Sequence, residues 1–291
     1  MVIGLLASGL LGEVALKELI KNQNIPSVIF TDNNSPAIIE KAKELSIKCF
    51  IGNPRSPKAK DFIEHDLLEI ELELIISVNY LYLIDQNLIS LPKLGCVNLH
   101  GSLLPKYRGR TPHVWAIINN EKKTGITAHY IDSGCDTGNV IIQKTIEITR
   151  DETGGGLLNQ FESLYPELVS EIIEIFKTSK PKGYPQNEDK ATYFGKRSPE
   201  DGQIDWNWQK ERIYNWVRAQ AAPYPGAFTY YEGKKVSIDL VEFTETGFNS
   251  SMPNGLIVKE GNQPEVKTSN GVIQIKSNRS NSFFEAGKIF K

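Results

Sequence analysis

The first hundred residues alternate short apolar runs with longer segments of helical spacing, and few architectures accept that alternation. "VIGLLA" (2–7), "SVIFT" (27–31), "LIISV" (74–78) and "CVNL" (96–99) are bounded apolar stretches of strand length. Between them, residues 14–20 and 37–45 repeat apolar side chains every three or four positions, as a helix with one buried face does. Strands separated by helices line up parallel, with helices covering both faces of the sheet. Right-handed crossovers then predict an α/β, Rossmann-like domain built on an open, mostly parallel sheet.

Past residue 120 the pattern changes. "GITAHYI" (125–131) and "VIIQKTIEI" (140–148) are strand candidates joined by "DSGCDTGN", a segment dense in turn formers. Leu157, Phe161, Leu164, Leu168, Ile172, Ile175 and Phe176 then predict a long helix, with Thr153 as its N-cap. Residues 179–203 carry Pro181, Pro185 and Pro199 among charges, which is linker chemistry. A helix over "KERIYNWVRAQ" and a hairpin over "PYPGAFTYYEGKKVSIDLVEF" follow, with Glu232 and Gly233 at the tip. Asn254-Gly255 and Asn270-Gly271 punctuate a β-rich tail. The expected organisation is an α/β domain over 1–180, a linker over 181–203 and a small β-rich, OB-like domain over 204–291.

Composition excludes more than it suggests. With 33 Lys and Arg against 35 Asp and Glu, the formal charge of −2 gives no global attraction to nucleic acid or an anionic membrane. The opening residues lack a basic n-region and carry Glu13, Lys17 and Glu18, so a strand and an amphipathic helix are expected there, not a signal peptide. No apolar run has bilayer-spanning length. Cys49, Cys96 and Cys135 are odd in number and show no metal or redox spacing; reduced thiols in the cytoplasm are expected. Glycines 4, 9 and 12 do not make a dinucleotide fingerprint, and "TGGGL" (153–157) lacks the Lys and Ser or Thr of a phosphate loop. His65, His113 and His129 stand isolated, and no metal site follows from them. Trp206, Trp208 and Trp216 are expected in the core of the small domain.

One stretch asks for chemistry. In "VNLHGSLLPKYRGRTPHVWAI" (97–117), Asn98 and His100 are two apart on a strand and so share a face. Ligands of open α/β sheets sit beyond the carboxyl ends of the strands, which is where this pair lies. By these residues alone, a structural histidine accounts for the pattern as well as a catalytic one.

"NLHGSLLPKYRG", taken with "DSGCDTG", resembles the signature of the folate-dependent formyltransferases, which move a formyl group from 10-formyltetrahydrofolate to an amine. "PKYRGRTPHVWAIINNEKKTGITAHYIDSGCDTGNVIIQ", "ATYFGKRSPEDGQIDW" and "ERIYNWVRAQAAPYPGAFT" extend the resemblance over most of the chain. It takes in methionyl-tRNA formyltransferase, and is closer to nucleotide-sugar N-formyltransferases. What it implies can be placed by residue. His100 matches the catalytic histidine, Asn98 the amide that steadies the transition state, and Asp136 the carboxylate paired with the histidine. Tyr82, Leu83 and Ile84 fall on the folate-contacting segment. Asp132, Ser133, Gly134 and Cys135 fall on the second folate loop, and Arg110 on a basic position of the folate site. Apart from the resemblance, the charges of Lys106, Arg108 and Arg110 suit the diphosphate of a nucleotide sugar or the glutamate tail of folate, with solvated loop charges as the alternative. The folate enters as co-substrate, and no metal is implied.

The physics suits these roles. An amide N–H aimed at the oxygen of a tetrahedral intermediate is worth ~10²–10³ in rate. An imidazole that takes the amine's proton is worth ~10²–10⁴. A carboxylate beside His100 favours its charged form and fixes its orientation.

Four readings of the acceptor follow. The first is an amino-deoxy sugar linked to UDP or dTDP, destined for surface polysaccharide or lipopolysaccharide, on a soluble enzyme that by resemblance dimerises. The second is methionyl-tRNA, whose family grips the acceptor stem with a basic loop after the second strand. Here that turn is "FTDNNSPAII" (30–39), without Lys or Arg, and residues 205–291 carry 11 basic against 9 acidic side chains. The third is water, as in formyltetrahydrofolate hydrolases, which carry a regulatory N-terminal module; this chain opens on a strand. The fourth is a non-enzymatic folate or nucleotide binder, which the Asn98, His100 and Asp136 set disfavours.

Overall fold

The structure, a computed structural model, describes residues 1–67, 69–280 and 282–291. They form two compact units. The first comprises Met1–Gly109, Gly125–Ile146 and Asn159–Tyr193; the second comprises Arg110–Thr124, Glu147–Leu158 and Phe194–Lys291. Both are therefore discontinuous in sequence, with two short excursions of the chain belonging to the second unit.

In chain order come β1 (Ile3–Ala7), α1 (Gly9–Lys21), β2 (Val28–Thr31), α2 (Pro36–Glu44), β3 (Lys48–Ile51) and α3 (Pro57–Phe62). A π-helical turn, Ile63–Leu67, extends α3. Next are β4 (Leu74–Val78), α4 (Gln86–Ile89), β5 (Gly95–His100), β6 (Arg108–Gly109), α5 (Pro112–Ile118), β7 (Lys123–Tyr130), β8 (Val140–Glu147) and α6 (Gly154–Thr178). The remainder holds β9 (Tyr193–Phe194), α7 (Lys210–Ala219), β10 (Ala227–Tyr231), β11 (Lys234–Phe243), β12 (Ile257–Lys259), β13 (Glu265–Thr268) and β14 (Gly271–Asn278).

The large sheet runs β3-β2-β1-β4-β5-β7-β8. The pairings among β1 to β5 are all parallel. Every residue of β1, β2 and β4 is buried, which is why these strands read as unbroken apolar runs. β3, at the edge, has exposed ends and a half-buried middle, so "KCFI" carries no such signal. β7 joins β5 antiparallel and sets Asn98 opposite His129 and His100 opposite Thr127. That one reversal of direction makes the sheet mixed.

α6 starts where the hydroxyl of Thr153 accepts from Gly156 N at 3.0 Å. Its apolar stripe in the first unit is Phe161, Tyr165, Leu168, Val169, Ile172, Ile173 and Phe176, all buried. Leu164 and Ile175, expected on that stripe, lie at its margin, half-buried.

In the second unit an antiparallel sheet ordered β10-β11-β14-β13-β12 is covered by α7. Glu232 and Gly233 form the two-residue tip between β10 and β11, both at positive φ as that turn demands. Trp206 and Trp216 are buried, their indole N–H groups donating to Thr229 Oγ1 at 2.9 Å and Gly202 O at 3.1 Å; Trp208 is half-buried. The glycines of "TGGGL" serve packing. A Cβ at Gly154 would come within 2.1 Å of Ala219 O, and one at Gly155 within 2.1 Å of Ala222 O. Among the described residues no helix is long and apolar enough to cross a membrane.

His113, on α5, is buried in the second unit with its Nε2 against the Tyr224 hydroxyl. Burial pushes its pKa down to about 4. The unfolded chain, with a histidine near 6.5, therefore binds the proton first as pH falls. The stabilisation from keeping His113 neutral is complete above the unfolded value and drains away towards pH 4, at roughly 1.4 kcal/mol per pH unit. Lowering pH from about 7.5 to about 4.5 should thus reduce Tm more in the wild type than in His113→Leu. Equal drops in thermal melts would refute this account.

Candidate active site

β5 ends on the short segment that carries the site. Asn98 is half-buried and His100 is buried, with 7% of its surface exposed. The Tyr107 carbonyl lies 2.8 Å from His100 Nε2 and, being only an acceptor, fixes a hydrogen on that nitrogen. His100 Nδ1 is 3.5 Å from Asp136 Oδ2. Asp136 belongs to the loop after β7 and sits at φ +55°, a left-handed conformation that Asp tolerates better than most residues. Its Oδ2 also accepts from Gly109 N at 2.8 Å. Its Oδ1 is 3.6 Å from Nε2 of a second imidazole, His129 on β7. His129 Nε2 lies in turn 3.2 Å from Asn98 Nδ2. The structure thus gathers Asn98, His100, Asp136 and His129 into one cluster.

The electrostatics of the cluster turn on burial. Burial pushes the Asp136 carboxyl up, but His100, His129 and the Gly109 N–H outweigh it and hold Asp136 well below the usual carboxylate range. His100 moves the other way from what its carboxylate partner suggests. Burial lowers its pKa below the ordinary imidazole value, and the pull of Asp136 and the Tyr107 carbonyl only partly restores it. His100 is therefore a neutral imidazole at neutral pH, held beside an ionised carboxylate.

Other positions singled out in the sequence have varied settings. Tyr82, Leu83 and Ile84 are in the loop between β4 and α4. Leu83 is 62% exposed, Tyr82 packs edge-on to Tyr80 at 5.6 Å, and Ile84 O accepts from Arg55 at 3.2 Å. Asp132 to Cys135 form an exposed turn in which Asp132 Oδ1 accepts from Gly134 N at 3.0 Å and Thr137 Oγ1 at 2.6 Å. Cys135 Sγ is 3.7 Å from Asp136 Oδ2. Lys106 is exposed. Arg110, also exposed, opens the second unit, and its N–H donates to Phe194 O at 3.0 Å. Among the described residues no cluster of side chains could hold a metal ion.

Arg108 departs from expectation. Its guanidinium is fully buried and spent on the protein. Nη1 and Nη2 bond both oxygens of Glu188, at 2.8 and 2.6 Å, while Nε and Nη2 bond Gln186 Oε1 at 3.1 and 2.7 Å. Nη1 also donates to the Tyr193 hydroxyl, and the group lies over the Tyr193 ring. Gln186 passes the brace on, donating from Nε2 to Asp136 O and Gly138 O, each at 2.8 Å. A contact with a substrate diphosphate would need this fork, whose donors are already engaged. Arg108 stiffens the loop that presents Asp136.

Comparison with known proteins places this chain in a family. The formyl transferase profile matches residues 10–173, more than half of the chain, and the formyl transferase C-terminal domain profile matches residues 196–282. The chain belongs to the formyltransferase family.

Methionyl-tRNA formyltransferase of Acetivibrio thermocellus is 33% identical over 255 residues, covering 85% of this chain and 81% of the relative. Among solved structures, the N-formyltransferase from Helicobacter canadensis, in complex with folinic acid and dTDP-3-aminofucose, superposes with a TM-score of 0.71 at 19% identity, over 94% of this chain and 99% of that one. WlaRD, a sugar 3N-formyl transferase solved with dTDP and 5-N-formyl-THF, gives 0.69 at 20% identity, over 94% and 96%. At such identities these likenesses are likenesses of fold.

In this formyltransferase, Arg108→Met should remove the brace while keeping much of the buried volume. A melting temperature several degrees lower is expected, from roughly 1–3 kcal/mol of lost and unsatisfied hydrogen bonds. Turnover should fall more than folate affinity. An unchanged Tm with weakened substrate binding would instead make Arg108 a substrate ligand.

Proposed function

We propose that this formyltransferase moves the formyl group of 10-formyltetrahydrofolate onto the primary amine of an amino-deoxy sugar linked to UDP or dTDP. The observation that carries the choice of acceptor is the β2–α2 connection. Only four residues, 32 to 35, separate Thr31 from Pro36, and none is basic. Asp32 ties the turn down, accepting from Asn34 N at 2.7 Å and Ser35 Oγ at 3.0 Å. A compact, anchored acidic turn offers nothing to the phosphates of an acceptor stem. The solved neighbours bound to dTDP or a dTDP-sugar support the same reading. Methionyl-tRNA is the second reading, favoured by the 33% identity to an enzyme of that name.

The chemistry follows from the site. The acceptor nitrogen attacks the formyl carbon, and the carbonyl oxygen takes up the electron pair. The Asn98 amide donates to that oxygen. Because Nε2 holds its hydrogen on Tyr107 O, neutral His100 has its lone pair on Nδ1, which receives the proton shed by the amine. Asp136, 3.5 Å away, stabilises the imidazolium so formed. Collapse of the intermediate breaks the bond to the folate nitrogen, which recovers a proton as it leaves.

Incubation with 10-formyltetrahydrofolate and a panel of nucleotide amino sugars should give a formylated sugar. Formyl-methionyl-tRNA as the sole product would overturn the assignment. Asn98→Ala should cost ~10²–10³ in kcat and His100→Ala ~10²–10⁴, with both proteins folded by circular dichroism.

The pH profile supplies a separate check. His100 must be neutral to accept a proton, and its pKa is lowered by burial, so the acid limb of kcat/KM should fall below pH ~6.5. Asp136→Asn removes an attraction that raises the His100 pKa, so the limb should move lower still while kcat drops. A limb moving upward in that variant would contradict the assignment.

A further inference from the structure

His129 is absent from the residues that the resemblance assigns, yet its surroundings define a task. Its backbone pairs directly with that of Asn98 across β5 and β7, which sends the two side chains to one face of the sheet. The ring is buried, with 2% of its surface exposed. Nδ1 lies 2.8 Å from the carbonyl of Tyr130, an oxygen that can only accept, so Nδ1 carries the hydrogen. In that tautomer Nε2 presents a lone pair, 3.2 Å from the side-chain nitrogen of Asn98.

That lone pair decides which way the amide faces. An asparagine side chain has nearly the same shape when turned over, with its oxygen and nitrogen exchanged. With the oxygen towards His129, two acceptors would meet. Asp136 Oδ1 stands 3.6 Å from the same Nε2, so a third acceptor would crowd the spot. With the nitrogen there, one N–H bonds the imidazole and the second stays available. Only that orientation puts a donor, not an acceptor, on the side of the site where Asp136 and His100 lie.

We propose that His129 is a positioning residue for formyl transfer: its ring, held as the Nδ1–H tautomer by the Tyr130 carbonyl, keeps the Asn98 amide with its NH₂ end turned to the reaction. This deepens the function proposed above, resting on formyl transfer at this site but not on the identity of the acceptor amine. His129 touches no reacting atom in this account; it acts through Asn98.

Two variants and one spectrum test it. His129→Phe keeps a ring and removes the acceptor. With the formyl donor and whichever amine the wild type accepts, kcat should fall ~10–100-fold while KM for the donor stays within about twofold, since only transition-state stabilisation is lost. His129→Gln restores an acceptor at a similar reach and should return kcat to within about fivefold of wild type. In an Asn98→Ala background, His129→Phe should cost less than about twofold further, because the two residues act as one unit. Full turnover in the Phe variant, a Gln variant as slow as Phe, or losses that multiply would each overturn the proposal. Independently of any substrate, long-range ¹H–¹⁵N spectra of labelled wild-type protein should show His129 as the Nδ1–H tautomer, assigned by the signal missing in His129→Gln. An Nε2–H tautomer would overturn the proposal, and this readout stands even if the protein formylates no amine supplied to it.

Discussion

The carboxylate of Asp136, caught between two buried imidazoles, is the contact on which the geometry of the candidate site depends. A negative charge this enclosed is costly unless it is paired and hydrogen-bonded. Here the Gly109 N–H donates to it at 2.8 Å, and the His100 and His129 rings stand 3.5 and 3.6 Å away. The same enclosure keeps His100 neutral. Two opposing effects meet on one ring, and burial wins over attraction by the carboxylate. The result is an imidazole that is free of its proton at neutral pH, held beside an ionised carboxylate.

That pairing exists because one strand runs against the others. β7 lies antiparallel to β5, so residues 98 and 129 come opposite each other although 31 positions separate them. The loop after β7 then brings Asp136 back to the His100 ring. Behind this loop stand Gln186 and the buried Arg108, which bond the main chain at Asp136 and Gly138 and each other. The site is thus set by strand register in front and by a polar brace behind, both within the first unit.

Much of this was legible in the sequence, for definite reasons. Buried parallel strands such as β1 and β4 must be apolar throughout, and they read that way. The Glu232-Gly233 tip demands positive φ at both positions and announced the hairpin. The stripe on α6 followed from its period. What escaped depends on contacts between distant segments. Edge strand β3 is too exposed to show an apolar run. His129 looked isolated because strand register, not spacing, makes it a neighbour of Asn98. Arg108 looked like a loop cation ready for phosphate, since its partners Gln186, Glu188 and Tyr193 lie some eighty positions away. Gly154 and Gly155 matched no motif, because their partners are bare carbonyls at Ala219 and Ala222. The division into units also threads back and forth in a way that a linear reading of linkers does not reveal.

Each charged or titratable group of the cluster is anchored by the main chain: His100 on Tyr107 O, His129 on Tyr130 O, and Asp136 on Gly109 N. Peptide groups do not mutate. The side chain at position 130 can therefore change without rewiring the centre, whereas positions 107 and 109, at φ +62° and +97°, are also constrained by their backbone conformation. The centre is thus wired by the path of the chain more than by the identity of the side chains around it.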